Sequence, residues 1–217
     1  MALHDPHPFT WWLRKVMVRW VVRPLVWVIL GPSRVGSGLP NKGPGVIVAN
    51  HNSHLDTVMM LSLLSRAGLK RLRPVAAADY FLRNRLLAWF SLNLVGIIPI
   101  QRAGSRDPLA DCREALEKGW ILLFFPEGTR GKPEQRSRFK AGIGRLMKDF
   151  PEVPVVPVLL HGLGKSLPKG ERVFVPFRSQ VAVGQPMTFR EKGEHLTESL
   201  EHELDRLTAQ IYLPQWD

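Results

Sequence analysis

The chain has 217 residues, 45% of them hydrophobic, so it is long enough to form one compact domain with its own core. Its 30 Lys and Arg residues outnumber its 19 Asp and Glu residues and give a formal net charge of +11, which favours a nucleic acid, a phospholipid surface or a phosphorylated substrate as the partner. The one cysteine, Cys112, excludes an intrachain disulfide, and we expect the protein to act on the reducing, cytoplasmic side.

Residues 1–44 are predicted to be a helical segment followed by a Gly- and Pro-rich linker. The segment contains four of the seven tryptophans, Trp11, Trp12, Trp20 and Trp27. Basic residues interrupt its apolar stretch and Pro24 should bend it, so no run reaches the roughly 20 apolar residues of a spanning helix. The same basic residues, with no small-residue cleavage site after them, disfavour a signal peptide.

The charge of this segment favours a membrane surface. No acidic residue occurs from Thr10 to Gly45, and tryptophan combined with unopposed basic charge is typical of an amphipathic helix in the interface of an anionic membrane. The alternative is a helix that packs on its own domain or on a dimer partner. The two uses are compatible.

The stretch from Asn50 to Asp56 places a histidine and a carboxylate after a buried strand. Val46–Ala49 is short and apolar, which is typical of a strand. Ser53 and Asp56 have the spacing of a capping box, which predicts that a helix begins inside the motif. Residues five apart on one helix point about 140° away from each other, so His51 and Asp56 are expected to meet across a strand-to-helix corner. There the carboxylate would hold one imidazole nitrogen and leave the other able to take a proton.

Three other interpretations of this stretch stay open. His51 is compatible with an ordinary loop histidine, and Asp56 with a simple helix cap. His51 and His54 are compatible with metal ligands, although Cys112 is distant and no HExxH pattern occurs. Ser53 is compatible with the nucleophile of an esterase, although it lacks the GxSxG pattern. No function is assigned to His54.

Strands and helices alternate along the rest of the chain, residues 45–217. The predicted strands are 74–78, 96–102, 120–125, 153–160, 173–175 and 180–183, the last two antiparallel to each other. The predicted helices are 81–94, 108–118, one that ends at Phe150, and 191–213. The first of these helices has a broad apolar face, suited to the core or to lipid. Because such alternation is typical of α/β domains, we expect a site along one sheet edge.

Polar residues follow two of the later strands. Arg102 ends the strand 96–102, and Glu127 and Arg130 lie in a glycine-containing turn just after the strand 120–125, where the backbone can approach a ligand closely. By contrast, Gly164-Lys165-Ser166 resembles the end of a P-loop, but Leu159 stands where that motif needs glycine, so nucleotide hydrolysis is rejected.

Four ordered blocks, within roughly residues 45 to 160, carry a family resemblance. They are Asn50-His51 through Asp56, Gly96 to Arg102, Phe125-Pro126-Glu127-Gly128-Thr129-Arg130, and Val153-Pro154-Val155-Val156-Pro157-Val158. Their order resembles the glycerolipid (lysophospholipid) acyltransferase family. Gly131 departs from the serine often found after the third block. The resemblance implies a mixed, largely parallel central sheet flanked by helices, as in glycerol-3-phosphate acyltransferases.

The resemblance also implies a reaction. An acyl chain would move from an acyl-CoA or acyl-ACP thioester to the free hydroxyl of a lysophospholipid, typically 1-acylglycerol 3-phosphate. His51 would act as general base and Asp56 would orient it, with no acyl-enzyme. Neither a bound cofactor nor a metal is implied.

Several further residues take expected roles from the resemblance. The residues expected to bind the acceptor phosphate are Arg102, Arg130 and, with less support, Lys140. The residues expected to shape the acceptor pocket are Glu127, Gly128 and Thr129. Pro157 is a candidate for the acyl pocket.

The implied partners are a lysophospholipid, an anionic membrane surface and, with an acyl-ACP donor, an acyl carrier protein. The implied location is peripheral or monotopic on the cytoplasmic face of a membrane. An acyltransferase for glycerol 3-phosphate or a non-glycerol lyso-lipid is the main alternative. A non-catalytic module that binds anionic membranes is a further alternative, but it leaves the ordered blocks unexplained. Nucleic-acid binding is disfavoured because the aromatic residues lie within apolar runs.

Overall fold

A seven-stranded sheet runs through the centre of the protein, whose computed structural model describes residues 5–101, 107–131, 135–167 and 175–211. Its strands are Ser33–Gly36 (β1), Gly45–Ala49 (β2), Leu72–Ala77 (β3), Ile98–Ile100 (β4), Ile121–Phe124 (β5), Val155–His161 (β6) and Gln180–Val183 (β7). Their order is β1-β7-β6-β2-β5-β3-β4. β6 and β7 are antiparallel, whereas the other neighbouring strands are parallel. The predicted mixed, largely parallel sheet is confirmed.

Helices cover both faces of this sheet. The α-helices are Pro8–Met17 (α1), Arg23–Leu30 (α2), Leu55–Leu63 (α3), Arg66–Arg71 (α4), Ala78–Phe81 (α5), Arg85–Phe90 (α6), Ala110–Glu117 (α7), Gly142–Lys148 (α8), Leu163–Ser166 (α9), Phe189–Lys192 (α10) and Leu196–Gln210 (α11). Along β2, Ile47 and Ala49 face a core shared with α2 and α3, while Val46 and Val48 face a core shared with α7, α8 and α11. This alternation is the two-residue period of a strand.

The N-terminal helices dock on the domain through two arginines. Arg14 of α1 is buried, and its guanidinium donates to the Leu72 carbonyl at 3.1 Å. Arg23 of α2 donates to the carbonyls of Ser62, at 3.0 Å, and Leu64. These carbonyls lie at the end of α3, where helix carbonyls lack intrahelical partners. The assignment of the basic residues to a membrane surface is therefore wrong for these two, because their donors are used inside the protein.

The outer side of the same helices is apolar. Its exposed large side chains are Phe9, Trp12, Trp20, Val21, Leu25, Trp27 and Val28. Pro24 does not interrupt the helix, because a π-helical turn, Val18–Val22, joins α1 to α2 just before it. Within the described residues, no helix is both long and apolar enough to cross a membrane. Packing on the domain is thus observed, and membrane association stays a prediction.

Three predicted elements differ from the structure. Residues 33–36 of the predicted linker form β1, which pairs with β7, so a partner distant in sequence overrode the local Gly and Pro signal. The predicted helix 81–94 begins only at Arg85, separate from α5, because Asn84 caps α6 by accepting the Leu87 amide at 2.8 Å, and a π-helical turn, Ser91–Val95, continues α6. Finally, β7 pairs with β6 and not with 173–175, of which residues 173 and 174 lie outside the described residues.

Candidate active site

Polar side chains collect where β2, β5 and β6 end. Asn50 directly follows β2 and is 4% exposed. Its side-chain amide donates to the Leu160 carbonyl at 2.8 Å, and its Oδ1 accepts the Leu160 backbone N–H at 2.7 Å. Because these two bonds join the end of β2 to β6, they fix the point at which the chain enters the His51 loop.

His51 and Asp56 meet across the strand-to-helix corner, as their spacing predicts. His51 Nδ1 lies 2.9 Å from Asp56 Oδ2. The same oxygen accepts the backbone N–H groups of Asn52 at 2.7 Å and Ser53 at 2.8 Å. Three donors therefore hold one carboxylate oxygen. With an ionised Asp56, the imidazole proton lies on Nδ1, and Nε2 is the nitrogen that can accept a proton.

The two partners differ in burial. The His51 side chain is 19% exposed, whereas that of Asp56 is 1% exposed. Burial raises the pKa of the Asp56 carboxyl, and the hydrogen bonds from His51, Ser53 and Asn52 act in the opposite direction. The arrangement thus presents an imidazole to solvent and keeps its carboxylate partner inside the protein.

Glu127 holds the His51 backbone from the opposite side. Glu127 Oε1 accepts the His51 N–H at 2.8 Å, and Oε2 accepts the Ser137 N–H at 2.9 Å. The Gly131 N–H donates to the His51 carbonyl at 2.9 Å. Burial raises the pKa of Glu127, and the bonds from Ser137 and His51 oppose that shift. Both carboxylate oxygens bind loop backbone, so the geometry supports a positioning role for Glu127, and its expected part in shaping the acceptor pocket stays a prediction.

Glu127→Gln should lower the free energy of unfolding by about 1–3 kcal/mol, because one side-chain oxygen becomes an NH2 group that faces a backbone N–H donor. Acyl transfer should fall with it, since the His51 backbone loses an anchor. Thermal unfolding and a transfer assay measure the two effects. Glu201→Gln is the matched control, because Glu201 accepts the Phe139 N–H with Oε1 at 2.7 Å and an amide oxygen can replace that acceptor. Equal stability losses in the two variants would contradict the proposed double anchor.

Phe125 and Lys140 complete the surroundings of the turn after β5. The Phe125 ring stacks on the His51 ring, with centroids 4.2 Å apart and planes inclined by 22°. Gly128 has φ +73°, and a Cβ added there would lie 2.6 Å from Lys140 Nζ. Glycine therefore allows both the left-handed backbone and the close passage of the Lys140 side chain. The structure brings Gly128 and Lys140 together.

Arg130 acts electrostatically on His54, and its neighbour Gly131 bonds to the His51 backbone. Desolvation, followed by the positive charges of Arg130 and His51, lowers the pKa of His54 to about 4. His54 is therefore neutral at physiological pH, and its Nε2 lies 3.2 Å from the Tyr80 hydroxyl. Thr129, the neighbour of Arg130 in the turn, is exposed. The residue expected to bind a phosphate thus lies in the turn that bonds to the backbone of the expected general base.

Two predicted site residues are not brought to this corner. Arg102 lies outside the described residues. Pro157 is buried in β6, and its ring and Glu203 both lie beside Gly184 on the α11 side of the sheet, whereas Asp56 lies on α3 at the other face. The expected place of Pro157 in an acyl pocket stays a prediction.

The alternative nucleophiles and metal ligands also have defined surroundings. The buried Ser53 hydroxyl donates to the Leu167 carbonyl at 3.0 Å and accepts the Leu55 N–H at 3.2 Å, so the capping box is only half formed. Cys112 is buried, and burial raises the pKa of its thiol to about 12. In the part of the chain that the structure describes, no group of three or more His, Cys, Asp or Glu side chains is placed to hold a metal ion.

Sequence reasoning missed two residues of this site. Asn50 carried a usable signal, because a buried asparagine at a strand end must find partners for its amide. Phe125 carried none, because stacking on His51 requires two loops distant in sequence to meet. Both residues position His51 from different directions.

Comparison with known proteins identifies the family. A family model described as Acyltransferase matches residues 35–161, which include every candidate residue named above. The chain belongs to the acyltransferase family. In this acyltransferase the matched range carries both the His51 corner and the turn after β5.

Named relatives of this acyltransferase share part of its length. A chloroplast 1-acyl-sn-glycerol-3-phosphate acyltransferase of Arabidopsis thaliana is 35% identical over 130 residues, 58% of this chain and 34% of the relative. The 1-acyl-sn-glycerol-3-phosphate acyltransferase alpha of Bos taurus is 30% identical over 154 residues, 68% of this chain and 50% of the relative. The chain therefore spans between a third and a half of these relatives.

A solved structure shares the fold of this acyltransferase. The 1-acyl-sn-glycerophosphate acyltransferase PlsC of Thermotoga maritima superposes with a TM-score of 0.74 at 21% sequence identity, covering 93% of this chain and 81% of that one. At this identity it establishes the shared architecture alone.

Proposed function

We propose that the protein transfers a fatty acyl chain from an acyl-CoA or acyl-ACP thioester to the free hydroxyl of 1-acylglycerol 3-phosphate, with phosphatidic acid as the product. The observation that carries the proposal is the 2.9 Å contact of His51 Nδ1 with Asp56 Oδ2, in a loop whose His51 carbonyl accepts the N–H of Gly131, the neighbour of Arg130. It joins an oriented base to a cation suited to a phosphate. The names of the Arabidopsis and bovine relatives support this acceptor.

His51 performs the proton transfers in this reaction. Its Nε2 takes the proton of the acceptor hydroxyl while the hydroxyl oxygen bonds to the thioester carbonyl carbon. The tetrahedral intermediate then expels the thiolate, which leaves as the thiol with the proton from the imidazolium. Asp56 keeps the proton on Nδ1 and stabilises the imidazolium while it exists.

The acyl chain passes directly from thioester to acceptor. Ser53, the nucleophile that an esterase would need, is fully buried and its hydroxyl bonds to backbone groups. Cys112 is buried and its raised pKa disfavours the thiolate. Neither residue suits an acyl-enzyme.

Arg130 is the first candidate for binding the acceptor phosphate. A guanidinium offers two parallel donors to a phosphate, and charge-assisted bonds of this kind are the strong ones. The Lys140 side chain passes close to Gly128 of the same turn, so its ammonium group is a second candidate for binding the phosphate. Thr129 offers a hydroxyl, and Arg102 remains a candidate from its motif alone.

The proposed location is peripheral or monotopic on the cytoplasmic face of a membrane. The N-terminal helices expose Trp12, Trp20 and Trp27, and the net charge of the chain is +11. Both properties suit an anionic lipid surface. An acyl carrier protein is a partner if the donor is acyl-ACP.

The test is a product assay with the purified protein. Each donor, acyl-CoA or acyl-ACP, is paired with 1-acylglycerol 3-phosphate, glycerol 3-phosphate or a lysophospholipid with another headgroup, and the products are identified by mass. We expect phosphatidic acid to form with the highest kcat/KM. A higher kcat/KM with another acceptor would change the proposed acceptor and leave the proposed acyl-transfer reaction in place. No transfer from either donor to any acceptor would refute the proposal.

Arg130→Gln should lower kcat/KM for 1-acylglycerol 3-phosphate by about 10- to 150-fold, the equivalent of one lost charge-assisted hydrogen bond of about 1.5–3 kcal/mol. For a monoacylglycerol, which has no phosphate, kcat/KM should change little. Steady-state kinetics with both acceptors measure the difference. Arg206→Gln is the control, since Arg206 pairs with Glu203 on α11. An equal loss for both acceptors would show that Arg130 does not read the phosphate.

A further inference from the structure

Exposed large apolar side chains are concentrated on two segments of the described residues. All but two of them lie either on the N-terminal helices or between residues 80 and 90. The two exceptions are Val35 and Val175. Helices α7, α8 and α11, which cover the other face of the sheet, contribute none. The helices on the other face of the sheet thus differ from these two segments in the described part of the chain.

Four residues form what we call the α6 surface. They are Leu82, Leu86, Trp89 and Phe90, with exposed fractions of 41%, 85%, 47% and 42%. Leu86, Trp89 and Phe90 lie on α6 with the spacing i, i+3 and i+4 of one helical face, and Leu82 lies in the turn that precedes this helix. Such a face normally packs on a core, but here it points outward.

The charges around the α6 surface indicate which kind of partner it binds. Arg83 and Arg85 are exposed within the same segment. No acidic residue occurs between Asp79 and Asp107. An apolar helical face flanked by unopposed arginines fits the interface of an anionic bilayer, where the rings enter the acyl boundary and the cations meet lipid phosphates.

The α6 surface lies between the catalytic loop and the N-terminal helices. Two residues before Leu82, the Tyr80 hydroxyl lies 3.2 Å from His54 Nε2 of the His51 loop. The Arg83 guanidinium carbon lies 5.2 Å from the centre of the Tyr80 ring. At the other end, the turn 91–95 that extends α6 packs against α1. The segment 80–95 thus connects the N-terminal helices to the His51 loop, and a membrane that contacts it would lie close to both.

We propose that the α6 surface is a second bilayer contact, separate in sequence from the N-terminal helices. Together the two contacts lay the membrane along one side of the sheet and bring the His51 loop to the lipid surface, where a long-chain lysophospholipid resides. The bilayer contact stands by itself. Its link to the substrate rests on the proposed acyl transfer.

The first measurement is binding of the full chain to vesicles of phosphatidylcholine and phosphatidylglycerol. Leu86→Gln/Trp89→Gln should weaken vesicle binding by about tenfold or more, because two large apolar side chains no longer enter the bilayer. Val175→Gln, at the 51% exposed Val175 outside both segments, should bind as the wild type does. Leu86→Gln alone and Arg85→Gln should show smaller losses, and they replace the double variant if it does not fold. Unchanged binding in all these variants would overturn the proposal.

The second measurement separates the bilayer contact from the chemistry. Leu86→Gln/Trp89→Gln should transfer to a short-chain, water-soluble 1-acylglycerol 3-phosphate at the wild-type rate and to a long-chain acceptor held in vesicles at about a tenth of that rate or less. If the wild type transfers an acyl chain to neither acceptor, the proposed acyl transfer is refuted. The vesicle-binding measurement still tests the bilayer contact of the α6 surface. A wild-type dimer that the double variant converts to monomers, with vesicle binding unchanged, would assign the α6 surface to a second copy and overturn the proposal.

Discussion

His51→Ala should lower acyl transfer by about 10²- to 10⁴-fold, the range that general-base assistance contributes. The acceptor hydroxyl is too weak an acid to attack unaided, and the variant has no group to take its proton. The fold should persist, because the backbone N–H of residue 51 can still donate to Glu127 and its carbonyl can still accept from Gly131. Product formation under steady-state conditions measures the activity, and thermal unfolding measures the fold.

His202→Ala is the control for this experiment. His202 is exposed on α11, on the opposite face of the sheet, so its removal should leave transfer unchanged. Full activity in the His51 variant would sink the mechanism. A similar loss of transfer activity in both variants would show that the loss does not come from removal of the general base.

Asp56→Asn should lower transfer by about 10- to 150-fold, because it replaces a charge-assisted bond of about 1.5–3 kcal/mol with a neutral one. The asparagine oxygen can take the place of Oδ2 and accept the same three donors. Its NH2 group then occupies the place of Oδ1, which has no hydrogen-bond partner among the described residues. The geometry is retained, and the loss reports the charge that stabilises the imidazolium.

The stability of the Asp56 variant follows from the direction of the pKa shift. Burial raises the pKa of Asp56, so its contribution to stability falls as pH rises from the ordinary carboxyl pKa through the raised one. An uncharged asparagine escapes this loss, and Asp56→Asn should melt at the same temperature as the wild type or higher at pH 7. Asp56→Ala is the contrast, because it leaves three donors without an acceptor at about 1–3 kcal/mol each for buried groups. A large drop in melting temperature for Asp56→Asn would contradict this account.

The local pattern of the chain was enough to predict most of the sheet and the corner at which His51 meets Asp56. Short apolar runs indicated β2 and β5, and the five-residue spacing of His51 and Asp56 admitted contact only across a corner, which the structure shows at 2.9 Å. These predictions succeeded because they depend on neighbours in the sequence. β1 was missed because an edge strand needs a partner, here β7, that lies far along the chain.

The role of Glu127 shows the limit of the motif. Its place in the turn after β5 indicated a site residue, but the motif carries no information on which groups its oxygens would meet. The structure places Oε1 on the His51 amide and Oε2 on the Ser137 amide. The same limit applies to Arg14 and Arg23. The sequence predicts that a basic residue in an apolar helix lies at the surface, and only the structure shows that these two bind backbone carbonyls.

The sequence by itself determined the residue types of the site, their order along the chain and the acyltransferase chemistry that they suit, because spacing and side-chain chemistry are local properties. Tertiary structure alone decided that Asn50 and Glu127 hold the His51 loop, that Phe125 stacks on the imidazole, and that the apolar faces of the N-terminal helices and α6 lie outside the core. Each of these depends on contacts between segments far apart in the chain, and burial is defined only when the whole chain has packed.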